Sequence, residues 1–96
     1  MFNTAKGKLT TFSLGKLRIT PAAWEKVDEP ALFECFVRHL TGDWGDLDEF
    51  DWKANDDAFE YGGRVLSAYT DKNQLRFWII TEADRSATTI LLPEEY

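Results

Sequence analysis

The apolar pattern of this chain changes period at Gly62-Gly63, and that change limits the folds open to it. Before the glycines, apolar residues recur every three or four positions. After them they alternate in three runs, RVLSAYT (64–70), LRFWIIT (75–81) and ATTILLP (87–93), so a helical half is followed by a strand half. Only DKNQ and EADRS separate the runs. A parallel crossover requires a dozen or more residues, so connections this short allow hairpins alone, and 64–92 is expected to be an antiparallel meander.

The helical half carries its own punctuation. Thr20-Pro21 is a helix start, because the threonine hydroxyl accepts a backbone N–H and proline at the first helical position loses no needed donor. Asp28-Glu29-Pro30 repeats the signal. A second helix is expected over 30–40, with Leu32, Phe33, Cys35, Phe36, Val37 and Leu40 forming a broad, deeply buried face, and Gly42 available for a left-handed cap. A third helix is expected over 46–60, capped by Asp43 or Asp46, with Leu47, Phe50, Ala54, Ala58 and Tyr61 as its inner stripe. Ahead of the helices, alternation around Leu17 and Ile19 predicts a short strand over 16–20, adding to a sheet edge. Gly15 marks a bulge or the end of a looser lead-in, and residues 1–8 read as a frayed tail. The order β-α-α-α-β-β-β makes this an α+β chain, a small antiparallel sheet with helices packed on one face.

Ninety-six residues suit one domain with one core, and an aromatic content of 15% supplies apolar material for it. One cysteine and one histidine are too few for a disulfide framework or a Cys/His zinc site, and they fit a reducing, cytoplasmic setting. No run is long and apolar enough to span a bilayer or serve as a secretory signal. Net charge is −6, which disfavours nonspecific attraction to phosphate backbones. The charge is also segregated. The first twenty residues hold Lys6, Lys8, Lys16 and Arg18 without an acid, whereas Asp43 to Glu60 contain eight acids and one lysine.

Most candidate chemistry falls within 39–63, HLTGDWGDLDEFDWKANDDAFEYGG. His39 near a helix end has a structural reading, a protonated imidazole at the negative terminus, and a functional one, a general acid/base paired with Asp43. Gly42-Asp43-Trp44-Gly45 suits a tight interhelical turn, with Trp44 either wedged inside with its N–H satisfied or exposed as a binding anchor. The acids invite a calcium reading that fails on spacing: from Asp46, Phe50 takes a ligand position, Asp51 replaces the glycine and Asp57 the bidentate glutamate. No metal and no cofactor is expected. Asp48, Glu49, Asp56 and Asp57 are a solvated face or an electrostatic docking surface. Trp52 and Phe59 lie off the inner stripe, either packed beneath a neighbour or forming aromatic anchors in an acidic rim.

Outside that stretch, Glu82, Asp84 and Arg85 occupy a hairpin loop over Thr81–Ser86. Their bland reading is turn chemistry or a bridge from Arg85 to a helix carboxylate; the sharper one is a polar cluster with His39 and Asp43. Cys35 reads as a small buried residue. Basic-plus-aromatic signatures of nucleic-acid binding are absent from the structured part, apart from a local patch of Lys6, Lys8, Lys16 and Arg18.

The blocks LGKLRITPAA, RHLTGDWGDLDEFDWKAND, RVLSAY and WIITEADRSATTILLPEEY resemble a family of small bacterial proteins associated with plasmids and mobile elements. The resemblance covers most of 14–96 and implies context without mechanism: an accessory protein of plasmids, integrated elements or phages. The leading expectation is a non-enzymatic module binding a protein partner with a basic surface through Trp44, Asp48, Glu49, Trp52, Asp56, Asp57 and Phe59. By analogy, it would inhibit a nucleic-acid-binding defence protein. The alternatives are a small hydrolase or nuclease-like enzyme using His39, Asp43, Glu82, Asp84 and Arg85, and a structural homo-oligomer joined through an edge strand.

Overall fold

A computed structural model describes residues 13–96; the tail expected over residues 1–8 lies outside this range. The elements are β1 (Lys16–Ile19), α1 (Pro21–Lys26), α2 (Glu29–Leu40), α3 (Glu49–Tyr61), β2 (Val65–Thr70), β3 (Arg76–Thr81), β4 (Ala87–Leu91) and a 3-10 turn over Pro93–Glu95. The α+β class and the order of its helices and strands are those expected.

β2, β3 and β4 form the antiparallel meander, and the sheet order is β1-β4-β3-β2. β1 adds to an edge as expected, but it runs parallel to β4, Lys16 opposite Ala87 and Ile19 opposite Ile90, so the sheet is mixed. The whole helical half intervenes between β1 and β4, which gives a parallel partner ample room to return. Gly15 permits this edge. Its φ is +63°, and a Cβ there would lie 2.4 Å from the Arg85 and Ser86 backbone, so the lead-in passes against the β3–β4 loop where only glycine fits.

Of the predicted caps two form and one moves, while Asp28 precedes α2 as expected without a side-chain cap bond. Thr20 Oγ1 accepts from the Ala23 N–H at 3.1 Å, with Pro21 beginning α1. Gly42 takes a φ of +88° beyond α2, and the Asp43 N–H reaches back to the Arg38 carbonyl at 2.8 Å. For α3 the cap is Asp48, accepting from Asp51 N–H at 2.8 Å. Neither Asp43 nor Asp46 caps it, because the chain from Trp44 to Asp46 is held to β2 instead: Ala68 N–H donates to Trp44 C=O, and Asp46 N–H to Ala68 C=O.

The core lies between helices and sheet, built from Ala23, Val27, Leu32 and Cys35 against Tyr69, Phe77, Ile79, Ile90 and Leu92. Burial narrows α2 to a stripe of Leu32, Cys35 and His39, and leaves Phe33 and Val37 exposed. The broad buried face expected there is corrected to one side of the helix.

On α3 the expected orientation is reversed. Phe50 and Tyr61, assigned to the inner stripe, are 81% and 79% exposed, whereas Asn55 is buried and Trp52 and Phe59 are half-buried. Hydrogen bonding decides it. Asn55 Nδ2 donates to Leu66 C=O at 2.6 Å while its Oδ1 accepts from Leu66 N–H at 3.2 Å, so one amide side chain substitutes for a strand partner on the outer edge of β2. Together with the Trp44–Asp46 segment it covers the Leu66 and Ala68 backbone, which on a bare edge would invite pairing with another chain. Asn55→Ala is expected to cost about 2–4 kcal/mol by leaving both Leu66 groups unpaired. Urea unfolding and the exchange rate of the Leu66 amide check this, and unchanged exchange at Leu66 would dispose of the edge-covering role.

Candidate functional site

His39, the expected centre of any chemistry, is fully buried on the inner face of α2. Its Nδ1 meets Ser67 Oγ at 2.5 Å and its Nε2 meets Thr81 Oγ1 at 2.9 Å. Thr81 Oγ1 continues to Thr88 Oγ1 at 2.7 Å, and Thr88 donates to the Leu14 carbonyl at 2.8 Å. Proton bookkeeping orients the whole chain, because each hydroxyl has one hydrogen and a carbonyl can only accept. Thr88 gives its hydrogen to Leu14, so Thr81 must donate to Thr88. His39 Nε2–H then donates to Thr81, and Nδ1 accepts from Ser67.

The neutral imidazole is the form this arrangement requires. Burial, aided by the positive charge of Arg85, lowers the His39 pKa to about 3, so the protonated helix-end role is overturned. Both ring nitrogens serve the strands, and the histidine acts as a polar strut through the core. Arg38, one residue earlier, supplies the cation at the end of α2.

Asp43 does not pair with His39. Arg38 Nε donates to its Oδ2 at 2.8 Å, and its Oδ1 accepts from Gly45 N–H at 3.1 Å, which folds the Gly-Asp-Trp-Gly turn on itself. The Arg38 guanidinium, partly opposed by burial, holds the Asp43 carboxyl below its ordinary range. Tyr69 Oη donates to the Asp43 carbonyl at 2.7 Å, and the Arg38 guanidinium stands 5.0 Å above the Tyr69 ring. Gly45 has no room for a side chain: its φ is +79°, and a Cβ would fall 2.0 Å from the Ala68 carbonyl oxygen.

Trp44 takes the wedge and not the exposed anchor. It is completely buried, edge-on to His39 at 5.7 Å and to Phe59 at 5.8 Å between ring centroids. Its indole N–H donates to Asp56 Oδ1 at 2.9 Å, satisfying the group that burial would otherwise strand. Phe59 is thereby assigned to packing. Asp48 caps α3, Asp56 holds Trp44, and Asp57 pairs with Lys53 at 3.5 Å on the surface. Glu49 remains exposed, whereas Trp52 is half-buried on the same side of the helix as Phe59.

The Glu82–Ser86 loop is also structural. Asp84 Oδ1 accepts from Ser86 N–H at 2.9 Å, and Glu82 is exposed. Arg85, at a φ of +63°, reaches α3: its Nη2 donates to Ala58 C=O at 2.9 Å and its Nη1 to Gly63 C=O at 2.6 Å. The expected tie between loop and helix exists, and Arg85 makes it to carbonyls at the negative end of the helix. Asp43 pairs with Arg38, Asp84 with Ser86 and Arg85 with the Ala58 and Gly63 carbonyls, while the Arg85 charge acts on the buried His39.

Cys35 is buried, and its thiol is pushed up to about 11 by burial that outweighs the lowering effect of Arg38; it lacks thiolate character. Among the described residues no group of three His, Cys, Asp or Glu is placed to hold a metal ion, and no helix is long and apolar enough to cross a membrane. Residues that reasoning from sequence passed over are Arg38, Asn55, Ser67 and Thr88, whereas Thr81, expected as the first residue of the loop near His39, does meet it from the end of β3. The signal for Ser67 and Thr88 was present, since each is a polar residue at an inward position of an alternating strand.

What the 39–63 stretch presents outward is one face of α3. Phe50, Ala54, Asp57 and Tyr61 share that face, and a depression of about 850 Å³ beside it is lined by Glu49, Phe50, Trp52, Lys53 and Ala54 among others. Comparison with protein-family models, with curated proteins and with solved structures finds no match for the chain.

Proposed function

We propose that the chain is a non-catalytic interaction module that docks a protein partner through the outer face of α3. The observation carrying this reading is the exposure of Phe50 and Tyr61, 81% and 79%, on a helix whose opposite face is held to β2 by Asn55. They are eleven positions apart, so they point the same way and stand about 16 Å apart along the axis. Two large aromatics at such exposure are unusual decoration for a helix that already has a buried side, and aromatics within a charged rim are the usual anatomy of an interface.

The rim names the partner's chemistry. Glu49, Asp51, Asp57 and Glu60 flank the stripe against Lys53 alone, which favours a surface with apolar pockets bordered by Lys or Arg. Nucleic-acid-binding proteins carry such basic surfaces, which keeps inhibition of one as the narrower version of the proposal.

A photo-crosslinker at position 50 or 61 would capture the partner, whose affinity is then measured with purified components. Phe50→Ala with Tyr61→Ala is expected to weaken binding by about thirtyfold or more, and Glu49→Lys with Asp57→Lys to slow association and reduce its salt dependence. Phe33→Ala with Val37→Ala, on the exposed side of α2, should leave affinity unchanged. Equal affinity for all three double variants would overturn the assignment to α3.

A further inference from the structure

The face of the sheet turned away from the helices gathers cations that are scattered in sequence. By register, Lys16 and Arg18 of β1 stand beside Ala87 and Thr89 of β4, while Arg76 and Trp78 of β3 lie beyond Leu91 on the same side. Arg64, two residues before Leu66, belongs to this side by alternation, and its guanidinium lies 5.0 Å over the Tyr96 ring. Tyr96 in turn meets Trp78 edge-on at 5.6 Å. Glu95 holds this turn in place, accepting at 2.8 Å from both Leu92 N–H and Thr20 Oγ1.

Two further observations mark the patch. Lys16, Arg18, Arg64 and Arg76 are all exposed, and among the described residues the ion pairs are Arg38–Asp43, Lys53–Asp57 and Lys72–Asp28, none of which uses these four. The nearby acids are Asp46, held by Thr70 beside Arg76, Glu82 just past β3, Glu94, and Glu95 with its oxygen engaged. Tyr96 is 63% exposed and Trp78 half-buried, so ring surface remains open between the cations.

We propose that this sheet face binds single-stranded nucleic acid, with Trp78 and Tyr96 offering surfaces on which bases stack and Lys16, Arg18, Arg64 and Arg76 meeting phosphates. Aromatic rings on a β-sheet flanked by Lys and Arg are the recurrent means of holding an unpaired strand, since stacking tolerates any base and the cations follow the backbone. β1 and β3 are two strands apart, roughly 10 Å, so a single strand lying across the sheet touches both cations and rings, whereas a duplex keeps its bases from the rings. The net charge of −6 does not oppose this locally, because the acids concentrate on α3 beside the β2 edge. It does make the binding weak, and the four cations that meet phosphates make it dependent on salt.

Fluorescence anisotropy with labelled oligo(dT) and oligo(rU) of about 12 nucleotides, a duplex of equal length and an abasic strand provides the test. Both single strands are expected to bind at low salt, more tightly than the duplex or the abasic strand. Trp78→Ala should weaken binding about tenfold with Trp78→Phe recovering most of it. Arg18→Glu with Arg76→Glu, at exposed positions that the fold does not use, should abolish it and flatten the salt dependence. Glu49→Lys with Asp57→Lys on α3 should not reduce it, which separates this site from the docking face. Absence of salt-dependent binding, equal affinity for the abasic strand, preference for duplex, or displacement by polyglutamate as readily as by oligonucleotide would each overturn the proposal; the last would indicate an acidic protein as the occupant.

Discussion

Trp44→Ala is expected to destabilise the fold by about 3–5 kcal/mol, the largest effect of any single side-chain truncation in this chain. The indole is wholly buried and lies between His39 of α2 and Phe59 of α3, so its removal empties the space that joins two helices to the sheet. Small domains have only about 5–15 kcal/mol in hand, and a sizeable fraction of the variant should be unfolded at modest urea concentrations. Trp44→Phe should cost less, because it keeps most of the ring contact while losing the bond to Asp56. Equilibrium urea unfolding gives both numbers. A cost under about 1 kcal/mol for the alanine variant would mean that the neighbours close the gap and that the turn is not the keystone it resembles.

Acid is expected to unfold the protein in two stages, the first belonging to His39. Its folded pKa of about 3 lies below the ordinary value of 6.5, so the unfolded chain takes up a proton that the folded chain refuses. The contribution of the neutral imidazole is therefore complete above the ordinary pKa and is lost as pH falls from there toward about 3. At about pH 4 the loss reaches roughly 3 kcal/mol, from 1.36 kcal/mol per pH unit.

The carboxylates follow later. Asp43 is held low by Arg38 against the opposing effect of burial. At Asp71 burial opposes ionisation, but the backbone N–H groups of Asp28, Leu75 and Asn73 together more than offset it. Depressed carboxyl pKa values contribute stability that disappears only as pH falls below the ordinary carboxylate range, so the slope near pH 6 to 5 isolates the histidine. His39→Gln, neutral at every pH, should lower stability at pH 7 and abolish that slope. A wild-type urea midpoint that stays flat between pH 7 and 5 would refute the assignment.

Much of the architecture was legible because it rests on local chemistry. Thr20-Pro21 and Gly42 announce helix ends through hydrogen bonds that close within a few residues. Hairpins over DKNQ and EADRS follow from loop length alone. The mixed character of the sheet was not legible, since nothing in β1 states which direction its partner will run.

The apolar stripe of α3 was legible in its spacing and misread in its orientation. Apolar spacing at Phe50, Ala54 and Tyr61 describes a stripe, but it does not say whether that stripe meets a core. Asn55 settled the matter, because an amide able to satisfy both Leu66 backbone groups orients α3 more firmly than aromatics that have nothing to cover them. The same limit applied to His39. A histidine near a helix end suggests a charge, and only the hydroxyls of Ser67 and Thr81, 28 and 42 residues away, convert it into a neutral strut.

By itself, then, the sequence determined the order and kind of the elements, the helix ends at Thr20 and Gly42 and the hairpin order of β2 to β4, all of which depend on neighbours close along the chain. Tertiary structure alone decided which faces of α2 and α3 turn inward, that His39 stays uncharged, and that Lys16, Arg18, Arg64 and Arg76 share a surface with Trp78 and Tyr96. Those outcomes depend on partners distant in sequence, because burial and charge belong to a residue's surroundings rather than to the residue.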